Sequence, residues 1–260
     1  MAITISVSNQ KGGVGKTTTA VNLATALAAI GKRVLLVDLD PQSNATTGLG
    51  VYSKSINTSY DLFIRNKTLS ESMICTKIPG LSLIPASIDL VGAEIELVQV
   101  VDREKTLHRS IDPYKSMFDY IIIDSPPSMG ILTLNALVAA DGVLIPLQCE
   151  YYALEGLSYL LRSINRIKST DNPGLQLFGV VLTMFDKRSA LCLSVVNDVR
   201  LHLPKVVFDC VIPRNVKISE APSYGKPVLV HDVKSVGARA YMMLAKEFLA
   251  RERSGAWNRN

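Results

Sequence analysis

Short apolar runs alternate with longer segments of helical periodicity along the whole chain. The apolar runs are rich in Val, Ile and Leu and predict strands at residues 3–8, 33–38, 81–84, 119–124, 142–147, 177–183 and 207–212. The intervening segments predict helices at residues 17–30, 89–100, 103–111, 131–140, 153–168, 189–201 and 236–251. Runs such as residues 34–37 are apolar on both faces, which is typical of a parallel sheet covered by helices. The alternation predicts an α/β fold with one doubly wound, mostly parallel sheet and helices on both faces.

The chain contains no recognisable linker, repeat or low-complexity segment, so we expect residues 1–260 to form a single domain. The least regular stretch covers about residues 43–80, where Ser, Asn, Thr and Lys cluster. The polar C-terminal tail, from about residue 252 to residue 260, is expected to be frayed.

Polar or turn-forming residues follow six of the predicted strands. These stretches begin at residues 9, 38, 124, 148, 183 and 213. Because the carboxyl ends of parallel strands meet at one edge of the sheet, ligands of open α/β folds bind there. The pattern therefore predicts a binding site at this edge.

A glycine-rich loop at residues 10–18 joins the first predicted strand to the first predicted helix. Its backbone N–H groups would point into one concavity, and the helix adds its positive N-terminal end. This arrangement predicts a nucleoside triphosphate with Mg²⁺, with Lys16 at the β- and γ-phosphates and the Thr17 hydroxyl as a magnesium ligand. Thr18 is expected to add a hydrogen bond to a phosphate.

The loop departs from the standard phosphate-loop pattern in two ways. Gln10 stands where a glycine is usual, and an extra lysine, Lys11, precedes the glycine pair. Lys11 leaves the loop on the side opposite Lys16, where a cation is placed to serve a nucleotide bound by a second copy of the chain.

Three carboxylates follow predicted strands. A buried Asp124 needs a partner, which a Mg²⁺ ion would supply; an aspartate that caps the next helix is the alternative. Strand alternation puts Asp38 and Asp40 on one face, where two carboxylates beside a triphosphate need a cation between them. For Asp38, a purely structural hydrogen-bonding role stays open.

Composition and charge narrow the class of protein. The residues are 48% hydrophobic and 20% charged, and no uncharged apolar stretch approaches the roughly 18 residues that span a membrane. The four cysteines form no C-x-x-C pair, as expected for reduced thiols in the cytoplasm. The net charge is +5, and residues 176–260 carry thirteen Lys and Arg against seven Asp and Glu. This basic third suits nucleic acid or an anionic membrane surface, and an ordinary solvated surface is the alternative.

Six stretches of the sequence resemble one family of nucleotide hydrolases. Residues 11–18, Lys-Gly-Gly-Val-Gly-Lys-Thr-Thr, resemble the deviant phosphate loop of the ParA/MinD ATPases. Residues 38–42 and 120–128 resemble the second and third motifs of that family. Three more stretches are similar to the ParA/Soj branch, at residues 148–156, 182–186 and 212–216. The resemblance runs from about residue 3 to about residue 250 and implies a P-loop NTPase fold.

The resemblance implies ATP and Mg²⁺ as ligands and an ATPase that is activated by dimerisation. The implied phosphate-binding residues are Lys11, Gly12, Gly13, Val14, Gly15, Lys16, Thr17 and Thr18. Asp40 is implied to position the attacking water, with Asp124 and Thr17 at the metal and Asp38 in its outer shell. Lys11 is implied to reach across a dimer interface to the partner's phosphates, so that Lys11, Lys16 and Asp40 are the implied catalytic residues.

For the nucleotide base, the resemblance points to Met184, Pro213 and Asn215. Met184 and Pro213 would sandwich an adenine ring, and Asn215 would hydrogen-bond its edge. A plain core position is the alternative for Met184.

The resemblance also implies what hydrolysis is for. An ATP-dependent homodimer would bind double-stranded DNA non-specifically through Arg188, Lys217 and Lys226, with weaker candidates at Arg200, Arg214 and Arg239. Such a protein would drive chromosome or plasmid segregation with a ParB-type centromere-binding partner. It would be cytoplasmic and associated with the nucleoid.

Two alternatives belong to other classes. A MinD-like ATPase on a membrane surface needs a basic amphipathic segment at the C-terminus, and residues 251–260 carry one aromatic residue and no apolar stripe. We therefore expect no membrane partner. An ATP-using synthetase on the same scaffold needs a substrate pocket, and no sequence feature identifies one.

Overall fold

A seven-stranded sheet forms the centre of the computed structural model, which describes residues 1–52, 56–151 and 153–254. Its strands are β1 (Ile3–Val7), β2 (Val34–Asp38), β3 (Ile74–Cys75), β4 (Leu81–Ile84), β5 (Tyr120–Asp124), β6 (Gly142–Gln148) and β7 (Gln176–Thr183). The strand order is β3-β4-β2-β5-β1-β6-β7, and every pair is parallel except β3 with β4. The predicted doubly wound, mostly parallel sheet is confirmed.

The connections between the strands are mainly helical. Over the same described residues the helices are α1 (Lys16–Ala29), α2 (Asn44–Gly48), α3 (Ser59–Phe63), α4 (Leu69–Ser72), α5 (Leu90–Glu96), α6 (Thr106–Ile111), α7 (Ile131–Ala139), α8 (Ala153–Thr170), α9 (Ala190–His202), α10 (Val216–Glu220), α11 (Val228–His231) and α12 (Val236–Arg253). None of these helices is both long enough and apolar enough to cross a lipid bilayer.

Side-chain alternation along the strands builds the two layers of helices. In β2, Val34 and Leu36 pack in one cluster with α1 and α12, whereas Leu35 and Val37 pack in another with α5, α6 and α7. All four side chains are fully buried. A third cluster holds β6 and β7 against α8 and α9. Helices on both faces explain why these strands read as continuous apolar runs.

The strand register sets the geometry of the site. Asp38 at the end of β2 lies directly across from Asp124 at the end of β5, and Asp124 pairs with Val7 at the end of β1. The three central strands therefore end side by side, and the residues that follow them meet at one edge.

The predicted strand at residues 207–212 is wrong. Within this segment only Val207 forms a β-bridge, to Val180 of β7. The N–H groups of Phe208 and Ile212 donate to the Val180 and Leu182 carbonyls of β7, at 2.9 and 2.8 Å. The backbone N–H groups of Asp209 and Cys210 donate instead to the Glu247 carboxylate of α12, at 2.8 and 2.9 Å. The Glu247 side chain thus accepts from two successive N–H groups, and the alternation of a regular strand is interrupted between Phe208 and Ile212.

Two of the less regular regions are better ordered than the sequence predicts. The stretch from 43 to 80 contains three short helices and β3 among its described residues, and residues 53–55 lie outside them. At the C-terminus, α12 continues to Arg253, two residues into the stretch that is predicted to fray, and the fraying itself stays a prediction. The hydroxyl of Tyr120 donates to Glu252 at 3.2 Å and ties this last turn to the sheet. Residues 255–260 lie outside the described residues.

The edge of β7 gives a test of the packing. A Cβ atom on Gly179 would meet the buried Phe208 ring and lie 2.9 Å from the Val206 carbonyl oxygen. Because the backbone carbonyl cannot yield as a side chain does, we expect Gly179→Ala to lower the free energy of unfolding by about 1–3 kcal/mol. Chemical denaturation followed by circular dichroism measures this change.

Gly156→Ala is the matched control, because Gly156 lies in α8 and a Cβ atom there would have no heavy atom within 4 Å. It should leave stability unchanged or raise it by up to about 1 kcal/mol through helix propensity. Equal stability of the Gly179→Ala and wild-type proteins would contradict the close packing.

Candidate nucleotide-binding site

The loop between β1 and α1 has the backbone of a phosphate cradle. Gly13 and Gly15 adopt positive φ angles of 76° and 88°, which glycine reaches without steric penalty. Asn9 fixes one end of the loop: its Nδ2 donates to the Pro146 carbonyl at 2.7 Å, and its Oδ1 accepts from the Lys11 N–H at 3.0 Å. The far side is held by the Thr183 hydroxyl, which donates to the carbonyl of Val14 at 2.8 Å.

Lys16 is a buried cation at the start of α1. Its side chain is only 7% exposed, and its ammonium group donates to the Lys11 carbonyl at 3.0 Å. Burial lowers the pKa of Lys16 below its ordinary value, although the charges of Asp124 and Asp40 oppose that shift. A buried ammonium in a loop of backbone donors is a strong site for a polyphosphate.

Asp124 is an uncompensated buried carboxylate. It is fully buried at the end of β5, and neither of its oxygens accepts a hydrogen bond of ordinary geometry. Burial and then the charge of Asp38 raise the pKa of Asp124 well above its ordinary value, against the opposing effect of the Thr17 hydroxyl. A divalent cation would give these oxygens the partner that they lack, so the residues present fit Mg²⁺.

Asp38 differs from Asp124 because the chain itself supplies its partners. One carboxylate oxygen accepts from the Thr46 N–H at 2.9 Å and from the Thr46 hydroxyl at 2.7 Å, and the other accepts from the Asp40 N–H at 3.1 Å. Burial nevertheless raises the pKa of Asp38 to about 6. This pattern supports the structural alternative for Asp38, and its place in the outer shell of a metal stays a prediction.

Asp40 lies at the open side of the same strand end. It is nearly buried, and one of its carboxylate oxygens accepts from the Gln42 N–H at 2.9 Å. The charge of Asp40 is felt by both Lys16 and Asp124. The predicted water-positioning residue is therefore close to the predicted phosphate and metal ligands.

Lys11 points away from Lys16, as its place in the loop predicts. Its side chain is 45% exposed and its ammonium group forms an ion pair with Glu150, which follows β6. The two lysines of the loop thus differ in environment: Lys16 is buried within the loop, and Lys11 lies at its outer surface.

The predicted base-binding residues surround one cavity. A space of about 270 Å³ opens beside Gly15 and Thr18 and is lined by Met184, Pro213 and Asn215. Met184 is half-buried and has a positive φ of 52°, so it is not a plain core residue. The cavity continues directly from the phosphate loop, as the base and sugar of a nucleotide require.

Comparisons with known proteins agree with this geometry. A family model described as an AAA domain matches residues 2–177. The chromosome partitioning protein ParA of Caulobacter vibrioides is 50% identical over 252 residues, covering 96% of this chain and 94% of that protein. The sporulation initiation inhibitor protein Soj of Bacillus subtilis is 51% identical over 247 residues, covering 95% and 98%. The chain belongs to the ParA/Soj family of ATPases.

A solved structure extends the similarity to the fold of the whole chain. Cobyrinic acid a,c-diamide synthase from Mycobacterium smegmatis, with bound ADP and magnesium, superposes with a TM-score of 0.85 at 38% identity. The match covers 98% of this chain and 97% of that one. The ligands in that structure are the kind that the phosphate loop and Asp124 fit here.

In this ParA/Soj family member, Arg188, Lys217 and Lys226, the predicted DNA-binding residues, do not line the cavity that holds Met184, Pro213 and Asn215. Arg188 is 84% exposed and binds Asp186 through two hydrogen bonds, at 3.0 and 2.8 Å. Lys217 pairs with Glu220 at 2.9 Å. Lys226 is exposed and has no ion-pair partner in the part of the chain that the structure describes.

The weaker candidates have mixed environments. Arg200 and Arg239 donate to the backbone carbonyls of Asp209 and Lys234 at 3.1 and 2.9 Å, and Arg214 is exposed.

Three residues support the site although the sequence pattern assigns them no role. Thr183 ends one predicted strand and Glu150 follows another. Both lie in motifs that resemble those of the family, so their position in the sequence could have identified them as site residues. Thr46 lies in the stretch predicted to be irregular, and only the folded chain brings it to Asp38.

Because Asp124 and Asp38 differ in their hydrogen-bond partners, removing the charge of each should have opposite effects on the free energy of unfolding. With a chelator present at pH 8, we expect Asp124→Asn to raise the free energy of unfolding by about 1–3 kcal/mol, because it removes an unpaired buried charge. The native state holds the Asp124 proton to higher pH than the unfolded chain does, so wild-type stability should fall as pH rises above about 4. Denaturation between pH 5 and pH 8 should show the advantage of Asp124→Asn growing with pH.

Asp38→Asn serves as the comparison, because its carboxylate oxygens already accept hydrogen bonds. We expect this variant to lose about 1 kcal/mol of stability. Calorimetric titration should show that Asp124→Asn weakens binding of the magnesium–nucleotide complex. A loss of stability in the metal-free Asp124→Asn protein would mean that Asp124 is compensated by the chain.

Proposed function

We propose that this chain is a partitioning ATPase that binds ATP with Mg²⁺, pairs with a second copy of itself and then binds DNA without sequence preference. Hydrolysis would release the dimer from DNA and so drive segregation of a chromosome or plasmid. The observation that carries the proposal is the division of the loop lysines, since Lys16 is buried within the loop whereas Lys11 is half-exposed outside it.

The chemistry of hydrolysis needs positioned charge more than covalent catalysis. The loop amides and Lys16 would hold the phosphates, and Asp124 with Thr17 would hold Mg²⁺. When bound, Mg²⁺ neutralises charge on the phosphate oxygens. Asp40 accepts a hydrogen bond through one oxygen from its own loop, which fixes the carboxylate and leaves the other oxygen to orient water.

Lys11 must leave Glu150 before it can contact a nucleotide in another subunit. The Lys11 side chain is 45% exposed and that of Glu150 is 31% exposed, so water partly screens the pair and weakens it. A triphosphate on the partner offers more negative charge than one carboxylate does. Bound ATP would thereby favour the dimer, and a cation brought to the phosphates would raise the rate of hydrolysis.

DNA binding would use the basic C-terminal third. Arg188, Lys217 and Lys226 present side chains suited to phosphate contacts, which carry no sequence information. A dimer doubles the number of contacts and adds avidity. The names of the relatives support a partitioning role, and we infer a ParB-type partner and a location in the cytoplasm at the nucleoid.

A second candidate rests on the solved structure of a synthase at 38% identity. An ATP-dependent amide-forming enzyme would hydrolyse ATP with a small-molecule acid and would ignore DNA. Turnover with ATP alone, stimulated by DNA and a partner protein, would favour partitioning over synthesis.

Asp40→Ala separates binding from turnover. We expect it to bind ATP and dimerise like the wild type while hydrolysis falls about 10²- to 10⁴-fold, because the water is no longer positioned. Lys16→Ala should lose both ATP binding and the dimer. Size exclusion with ATP or ADP, with and without random-sequence duplex DNA, together with phosphate release, measures these effects.

Asp198→Ala is a suitable control, because Asp198 is exposed on α9 and has no ion pair within the described ranges. Asp198→Ala should match the wild type in ATP-dependent dimerisation and in the rate of phosphate release. Normal hydrolysis by Asp40→Ala would remove the proposed role of Asp40, and a wild type that stays monomeric with ATP would remove the proposed function.

The DNA surface is tested by removing cations and by removing the carboxylates that pair with them. The combined change of Arg188, Lys217 and Lys226 to Ala should weaken DNA binding and flatten the salt dependence by about 0.9 for each DNA phosphate that is no longer neutralised. Asp186→Asn with Glu220→Gln should instead strengthen binding, because phosphates no longer displace a carboxylate. Fluorescence anisotropy at several salt concentrations gives both quantities.

A variant with Lys77, Lys105 and Arg166 changed to Ala removes the same charge from exposed positions outside the C-terminal third. Its DNA affinity should fall less and its ATP-dependent dimer should persist. Equal decreases in affinity for the two triple variants would show that general charge, and not this surface, binds DNA.

A further inference from the structure

The segment that carries Lys217 and Lys226 packs against the helix that begins at the phosphate loop. This segment, residues 216–228, contains α10 and the first residue of α11. Two contacts join it to the nucleotide-binding edge, and each starts from a residue close to the phosphate or metal ligands.

The first contact is made by Asn22 of α1. Asn22 is buried, and its Nδ2 donates to the Thr18 carbonyl at 2.8 Å. Its Oδ1 accepts from the backbone N–H of Val228, also at 2.8 Å. One side chain therefore connects the end of the phosphate loop to the residue that follows Lys226 and Pro227.

The second contact joins two glycines. Gly50 follows α2, and the Thr46 hydroxyl of α2 donates a hydrogen bond to Asp38. Gly225 directly precedes Lys226. A Cβ atom on Gly225 would lie 2.7 Å from the Gly50 Cα and 2.8 Å from the Tyr52 hydroxyl oxygen. The two backbones touch directly, and both glycines have positive φ, 75° for Gly50 and 59° for Gly225.

A cavity separates the surfaces that these contacts join. It has a volume of about 250 Å³ and is lined by Thr18 and Asn22 of α1, Thr47 of α2, and Lys226. The segment with Lys226 is thus held at these two points beside open space. Elsewhere Ala221 packs in the same hydrophobic cluster as α1, and the N–H of Lys217 donates to the Asn215 side chain at 3.1 Å.

We propose that Asn22 and the Gly50–Gly225 contact are positioning elements that couple the occupancy of the phosphate site to the placement of Lys217 and Lys226. The inference rests on the proposed function and deepens it. Dimerisation alone explains ATP-dependent DNA binding by doubling the contacts. The coupling adds a second requirement for DNA binding, which is that residues 216–228 are correctly placed within each subunit. A dimer in which these residues are misplaced would bind DNA no better than two monomers.

Asn22→Ala tests the coupling. Analytical ultracentrifugation should show that the ATP-dependent dimer forms as in the wild type. The ratio of DNA affinity with a slowly hydrolysed ATP analogue to that with ADP should fall by at least about fivefold, the lower end of typical coupling between sites. The proposal is overturned if this ratio follows dimerisation and stays at the wild-type value.

Asn135→Ala is a closely matched control. Asn135 in α7 donates to the Ile131 carbonyl four residues earlier, at 3.0 Å, and accepts from the Leu107 N–H at 3.0 Å. It also donates to the Arg103 carbonyl at 2.8 Å, one hydrogen bond more than the Asn22 side chain makes to the described residues. Its replacement removes the same kinds of hydrogen bond between segments that do not carry Lys217 or Lys226. Asn135→Ala should lose comparable thermal stability and keep the wild-type ratio.

Gly225→Ala tests the coupling independently if Asn22→Ala fails to fold. The added methyl group would separate Gly225 from Gly50 and lower the same ratio at least about fivefold. Gly31→Ala is its control, because Gly31 has a φ of 87° but a Cβ atom there would have no heavy atom within 4 Å. A wild-type ratio in Gly225→Ala overturns the coupling, whereas a wild type that neither dimerises nor binds DNA with ATP overturns the proposed function itself.

Discussion

The buried charge at one edge of the sheet is the constraint on which the rest of the structure depends. The register that aligns Asp38 with Asp124 brings two carboxylates together out of water, with Asp40 and Lys16 close by. Thr46 and the Asp40 N–H compensate Asp38, but neither oxygen of Asp124 accepts a hydrogen bond of ordinary geometry. A cation that binds the buried Asp124 carboxylate would stabilise the folded chain. Ligand binding and the stability of this edge of the sheet are therefore linked.

Carboxylates of the same chain also pair with three of the exposed cations that the proposed function needs. Glu150 pairs with Lys11, Asp186 with Arg188, and Glu220 with Lys217. Each lysine or arginine in these pairs is at least 45% exposed, and exposed ion pairs contribute little stability. They are therefore readily exchanged for phosphate, which suits a protein that must bind and release polyanions.

The nucleotide edge and the basic segment are parts of one packed unit. Helix α1 begins with Lys16 and packs against α12 and α11 in the same hydrophobic cluster as Val228. Asn22 adds a hydrogen bond across that packing, and Gly50 meets Gly225 beside it. Packed contacts of this kind transmit a displacement because, outside the cavity that Lys226 lines, the interior has little free volume to absorb it.

The sequence by itself determined that a mostly parallel sheet lies between two layers of helices. It also determined most of the helices, the phosphate loop and the place of the acidic residues at the ends of strands. These features depend on periodicity and on short motifs. The sequence missed the irregular course of residues 207–212, since Glu247 reaches the N–H groups of Asp209 and Cys210 only because of where α12 packs. Only the tertiary structure decided that Thr46 compensates Asp38, that Glu150 holds Lys11 and that Asn22 bonds Val228. These partners lie from 8 residues apart, for Asp38 and Thr46, to 206 residues apart, for Asn22 and Val228. None belongs to the same helix or strand as its partner, so a local pattern carries no record of these contacts.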